Sequence, residues 1–204
     1  MGPPLITDEP YASSGKVPVY DSDAHIAEPT SVWQEYTDPK FRDEVMQCRS
    51  VGKLDSIFIE DSDIGTACAP ACIPNAYGTE VTWDDIVPGS YDPNERLKVM
   101  DAEGLAAGLM FPSLHLLSGD IADPEVAAAN ARGYNRWMSD FVSENPDRLF
   151  GVGVTPLQSV DHAVAEIEFC AEAGLTGMTF RPERYNGLEL FSQEIDRVWS
   201  AAED

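Results

Sequence analysis

The chain has 204 residues, with 13 Lys+Arg against 36 Asp+Glu, a formal net charge of -23 and a pI near 4.2. So negative a surface repels phosphate backbones and anionic lipid, which excludes nucleic acid and membrane surfaces as main partners. No stretch approaches the roughly 20 apolar residues of a membrane span, and the opening MGPPLITDEP lacks the basic and apolar regions of a secretory signal, so a cytoplasmic protein is expected.

The first strand is expected near residues 17–23, from the run VPVYD. The next 60 or so residues, about 30–91, hold no comparable unit. They are rich in Asp, Pro, Gly and aromatics (Trp33, Tyr36, Phe41, Phe58, Trp83), with helical turns expected around residues 31–36 and a short strand at 56–60. So long a stretch after one strand reads as an insertion over the rim of a sheet. Cys68 and Cys72 within it have a spacing open to a zinc knuckle, a disulfide or two loop thiols. With no histidine nearby and Cys48 the nearest further cysteine, loop thiols are the preferred reading. The run DSDIG at 61–65 lacks the later ligands of a calcium loop and reads as a turn.

From residue 92 the pattern is regular. Asp92-Pro93-Asn94-Glu95 supplies a capping Asp, a Pro at the first helical position and a Glu three residues after the cap, and Gly104 stops the helix. LAAGLMF (105–111) follows as a buried strand ending at Pro112. Asp123-Pro124-Glu125 opens a helix in which Val126, Tyr134, Trp137, Met138, Phe141 and Val142 share one face, ended by Asn145-Pro146. LFGVGVT (149–155) is the third strand; Ser159 caps a helix with the stripe Val160, Ala163, Val164, Ile167, Cys170 and Ala171, closed by Gly174. The fourth strand is expected at 177–181, and Phe191, Ile195, Val198, Trp199 and Ala202 mark a last helix. His162 falls on the polar side of its helix and is expected to face solvent.

Alternating strands and helices with short connections predict an α/β fold with a parallel sheet of right-handed β-α-β units. Each of the last three strands runs into a proline, which suits the carboxyl rim, where ladder pairing stops and parallel α/β folds keep their chemistry.

The most informative rim segment is YDSDAHIAEP, at 20–29. Side chains two apart on an extended backbone point the same way, so Asp23 and His25 are expected to project together, with Asp21 on that side too. A carboxylate and an imidazole so placed can share one divalent metal; a pair of turn aspartates with a helix-start histidine is the other reading of the same pattern. Arg181 and Asn186, after the fourth strand, would face the same rim and bind a substrate carboxylate or hydroxyl, or else pair with nearby acids. His115, in SLHLLSG, is a further candidate near the mouth, or a loop histidine.

Four stretches resemble the amidohydrolase-related family of metal-dependent TIM-barrel proteins, in the branch grouped with aminocarboxymuconate-semialdehyde decarboxylase. They are YDSDAHIAEPTSVWQEYTDPKFRD (20–43), ERLKVMDAEGLAAGLMFPSL (95–114), YNRWMSDFVSENPDRLFGVGVTPLQ (134–158) and AGLTGMTFRPERYNG (173–187). The resemblance implies a partial (β/α)8 barrel of about four β-α units, similar to the N-terminal half of a family member, as a single domain over residues 1–204. It implies a divalent ion, zinc above others, held by Asp23 and His25 where the family has its His-x-His, Glu-x-His or Asp-x-His pair, with Glu28 of the Glu-Pro step behind them. It implies a hydrolase or non-oxidative decarboxylase acting on a small organic acid or ring compound. The family's later ligands, on strands five, six and eight, match nothing in this sequence. The expected partners are therefore a small-molecule substrate and either a second copy or a complementary C-terminal half. A non-catalytic half-barrel that binds a partner or small ligand is the alternative.

Overall fold

The computed structural model describes residues 17–52, 54–66 and 82–203. Seven strands occur among them: β1 (Val19–His25), β2 (Gln47–Val51), β3 (Leu54–Ile59), β4 (Ser62–Thr66), β5 (Leu105–Phe111), β6 (Leu149–Val154) and β7 (Gly177–Thr179). The helices are α1 (Val32–Tyr36), α2 (Pro93–Glu103), α3 (Pro124–Ser143), α4 (Val160–Glu172) and α5 (Asp196–Glu203). Strands β1, β5, β6 and β7 form one parallel sheet in that spatial order. Each neighbour in space is thus the next β-α unit in the chain, which is the winding of a TIM-type barrel.

Local chemistry sets the helix ends. Asp92 accepts the Asn94 and Glu95 N–H groups at 2.8 and 3.0 Å, and Asp123 accepts those of Glu125 and Val126 at 2.8 and 3.3 Å. Such caps contribute about 1 kcal/mol each. Gly104 closes α2 at φ +76°, a left-handed conformation that costs glycine least.

The core lies between the sheet and its helices. Helix α3 buries Tyr134, Trp137, Met138, Phe141 and Val142 against Ala24, Met110 and Leu149. Buried Glu166 of α4 takes both carboxylate oxygens to Arg132 Nε at 2.9 Å and accepts from Asn135 Nδ2 at 2.9 Å. Asn135 in turn bonds the Val154 main chain through both its N–H (2.8 Å) and its C=O (3.0 Å). These bonds join α3 and α4 to the last residue of β6, where the rim begins.

Several expectations need correction. Residues 47–66 form an antiparallel sheet, β2-β3-β4, where a single strand was expected. Its buried Ile57 and Ile59, with Val45 and Met46, pack on Trp33, Leu114, Ile121 and Val126, so it rests on the rim loop after β5 and the start of α3. The run DSDIG is mostly β4; the turn falls at Glu60–Asp61, with Glu60 at φ +54°. Strand β1 ends at His25, later than expected, and β7 stops at Thr179 because the Arg181 N–H turns to the Tyr185 hydroxyl at 2.9 Å. Phe191 lies ahead of α5 and is 87% exposed. His162 is half-buried, its Nδ1 3.1 Å from the Pro124 carbonyl and its Nε2 3.2 Å from Glu125. Cys68 and Cys72 lie outside the described residues.

Candidate active site

The carboxyl ends of β1 and β5 meet at one corner of the rim. The β1–β5 register shifts between Asp21 and Ala24, and this irregularity resets the two-residue alternation. Asp21 pairs with Gly108 and Ala24 with Met110, and a Cβ built on Gly108 would meet both Ala24 and Asp21 side chains. Asp21 therefore shares the helix-facing side with Ala24, contrary to the expectation that it joins Asp23 and His25. His25 pairs with Phe111, and their rings sit 6.1 Å apart on the opposite face. Asp21 acts locally instead, accepting the Asp23 N–H at 3.1 Å.

Asp23 and His25 do come together: Asp23 Oδ1 stands 3.8 Å from His25 Nε2, and both side chains are open to solvent. The other ring nitrogen, Nδ1, lies 3.2 Å from the Ser113 hydroxyl. The His25 carbonyl accepts from the Arg96 guanidinium of α2.

Glu28 is completely buried behind this pair. Its carboxylate accepts three consecutive main-chain N–H groups, from Ser113 (3.1 Å), Leu114 (2.9 Å) and His115 (3.0 Å). Burial pushes its carboxyl pKa up, and the Leu114, His115 and Ser113 N–H bonds pull the other way. Glu28's carboxylate bonds go to the loop after β5, and its link to His25 runs through Ser113. Ser113 is the residue that sequence reasoning missed. The available signal was its position two residues past β5, on the rim beside the end of β1.

The remaining candidates sit at the β6/β7 corner. His115 is fully buried, with Trp33 Nε1 donating to its Nδ1 at 3.4 Å and Asn130 Nδ2 3.3 Å from its Nε2. Burial lowers its pKa to about 3. Arg181 is partly exposed, donating to the Leu116 carbonyl at 3.3 Å with Glu183 3.6 Å away. Asn186, at φ +50°, gives its amide hydrogens to the carbonyls of Ala122 (3.2 Å) and Gln158 (3.3 Å). A crevice lined by His115, Thr155, Gln158, Arg181 and Tyr185 offers ≈ 20 Å³ to a water-sized sphere. That is room for about one water.

The Asp23–His25 pair fits a divalent ion. Nitrogen and oxygen donors at about 2.1 Å from one ion stand roughly 3.0–3.7 Å apart for angles of 90–120°, so the observed 3.8 Å needs only a small rotamer adjustment. Among the described residues no group of three or more His, Cys, Asp or Glu is placed to hold an ion. No described helix is long and apolar enough to cross a membrane.

A curled parallel sheet of four successive β-α units, with a carboxylate and an imidazole at the end of its first strand, has the architecture of half a TIM-type barrel. The chain belongs to the amidohydrolase family, whose model matches residues 20–204. The 2-amino-3-carboxymuconate-6-semialdehyde decarboxylase of Dictyostelium discoideum is 27% identical over 120 residues, 58% of this chain and 33% of that protein. An amidohydrolase structure from Mycobacterium avium subsp. paratuberculosis K-10 superposes with a TM-score of 0.75 at 21% identity, covering 90% of this chain and 55% of that one. A dihydroxybenzoic acid decarboxylase from Polaromonas sp. JS666, with bound manganese and the inhibitor 2-nitroresorcinol, gives a TM-score of 0.54 at 16% identity, covering 91% of this chain and 46% of that one. The chain thus spans between a third and just over half of the length of these relatives.

Proposed function

We propose that this chain supplies the opening metal-binding strand of an amidohydrolase-type site, whose reaction is hydrolysis or non-oxidative decarboxylation of a small organic acid. The observation that carries the reading is the approach of Asp23 Oδ1 to His25 Nε2, 3.8 Å apart and open to solvent at the end of β1. Asp23 and His25 would hold the ion. Such an ion, when bound, would supply Lewis acidity toward a substrate oxygen or a water. Manganese, present in the Polaromonas relative, and zinc, which suits a carboxylate–imidazole set, are the two ions to try.

The chain's other residues divide by what their polar atoms already do. Glu28 holds the loop after β5 and so keeps Ser113 against His25. Arg181, partly exposed on the β6/β7 side of the rim, also donates to the Leu116 carbonyl, and we assign the rest of its guanidinium to the carboxylate of the substrate. His115 and Asn186 bond to protein groups, and we assign them to bracing that side.

Equilibrium dialysis with Mn²⁺ and with Zn²⁺, read by elemental analysis, tests the reading. Uptake of one ion per chain that disappears in the Asp23→Ala/His25→Ala double variant is expected. Equal uptake by the double variant, or none by the wild type, would overturn it in favour of a half-barrel without metal chemistry.

A further inference from the structure

We infer that Ser113 fixes which nitrogen of His25 carries the proton, leaving Nε2 as the free donor beside Asp23. The inference rests on the metal reading above for its purpose, but its geometry is independent of any ion.

A serine hydroxyl has one hydrogen to donate. The Ser113 hydroxyl lies 2.6 Å from the Ile26 carbonyl, an oxygen that can only accept, so its hydrogen goes there. Towards His25 Nδ1, at 3.2 Å, the same oxygen can then only accept. A neutral imidazole carries one N–H, so the proton sits on Nδ1 and the Nε2 lone pair is left exposed. Asp23 Oδ1, at 3.8 Å from Nε2, is beyond hydrogen-bonding distance and does not hold the proton there.

The support behind Ser113 is rigid. Its own N–H is held by buried Glu28 at 3.1 Å, and the Ile26 N–H is held by the Phe111 carbonyl at 3.1 Å. Without the hydroxyl, the Asp23 carboxylate is the acceptor that the structure places beside the ring, on its Nε2 side. The proton would then move to Nε2, the nitrogen an ion needs bare. Ser113 is thus a positioning residue: it would not touch the ion, but it decides whether the imidazole can. Partners of this kind change metal affinity by about 10–100-fold.

The test reads the ring directly. Long-range proton–nitrogen NMR of the metal-free protein at pH 8 reports the tautomer of each histidine, with His25 assigned from the His25→Gln spectrum. The wild type is expected to show His25 protonated on Nδ1. Ser113→Ala is expected to move the proton towards Nε2 and weaken Mn²⁺ binding at least tenfold, while Ser113→Thr, which keeps the hydroxyl, restores both. A wild-type His25 protonated on Nε2, or a tautomer unchanged in Ser113→Ala, overturns the inference even if the ion binds. Mn²⁺ binding that needs Asp23 and His25 but ignores Ser113→Ala overturns its link to the ion. An Nδ1-protonated His25 in a protein that takes up no ion upholds the tautomer and sinks the metal reading instead.

Discussion

The two corners of the rim use polar side chains in opposite ways. At the β1/β5 corner, Asp23 and His25 stand open to solvent, and the hydrogen bonds that fix the corner come from behind, through buried Glu28 and Ser113. At the β6/β7 corner the polar side chains are themselves the fastening. Gln158 donates to the Ser118 and Ile121 carbonyls, Asn186 to those of Ala122 and Gln158, and Arg181 to that of Leu116. Most of these acceptors lie on the loop that follows β5, so both corners lean on it. The first corner leaves its polar groups open to solvent; the second spends most of its own on holding loops together.

The contrast breaks most sharply at Glu28. Replacing it with alanine leaves three main-chain N–H groups without their acceptor in a site closed to water. Each such loss costs about 1–3 kcal/mol, so Glu28→Ala should destabilise by at least about 3 kcal/mol and abolish ion uptake with it. Urea unfolding measures the first. A loss under about 1 kcal/mol would mean that the β5 loop does not depend on this carboxylate.

His115 joins the two corners, since Glu28 holds its N–H while its ring lines the β6/β7 crevice. Its ring stays neutral in the fold, with a pKa near 3, whereas in the unfolded chain it takes a proton near pH 6.5. The unfolded state therefore binds more protons between those values, and the stability present above pH 6.5 drains away as pH falls towards 3. Unfolding midpoints across this window should fall in the wild type, and more shallowly in His115→Gln. Parallel curves for the two proteins would show that the ring does not carry the slope.

How much of this was readable beforehand depended on distance along the chain. The helices of the second half announced themselves because their signals are local: Asp92 and Asp123 cap groups two and three residues away, and Gly104 terminates its own helix. The four parallel strands followed from the same local periods. Asp23 and His25 were legible because two residues on one strand suffice to place them together. Asp21 was misplaced because the register shift depends on the pairing of β1 with β5, which nothing in YDSDAH encodes. The β2-β3-β4 sheet was missed because its short strands carry little alternation and bury Ile57 and Ile59 against partners up to 70 residues away. The clamp of Glu28 on Ser113 spans 85 residues, and the Glu-Pro step gives no hint of its partner. The roles of Asn186 and His115 were open for the same reason, since their partners come from other loops.

A smaller effect is expected at the second corner. Asn186→Ala removes two long hydrogen bonds and puts a side chain with no local compensation at φ +50°. Each effect is worth about 1 kcal/mol or less at an exposed position, for a combined loss of about 1–2 kcal/mol. Asn186→Gly keeps the backbone relaxed and loses the bonds alone, so it should cost less than alanine. If glycine costs more, the side-chain bonds outweigh the backbone conformation and the brace is stronger than its distances suggest.

The smallest effect on stability belongs to the residue with the largest expected effect on the ion. Asp23 is 81% exposed in its side chain, and the His25 ring stands 3.8 Å away. Exposed pairs of this kind contribute about 0–1 kcal/mol, so Asp23→Ala should unfold within about 0.5 kcal/mol of the wild type while losing Mn²⁺ uptake. A core or a brace cannot be removed so cheaply; a ligand that faces solvent can, because its carboxylate is as well hydrated in the folded chain as in the unfolded one. If Asp23→Ala instead destabilised the protein as Glu28→Ala is expected to, the carboxylate would be part of the scaffold, and the distinction between a corner that presents and a corner that holds would fail at its first residue.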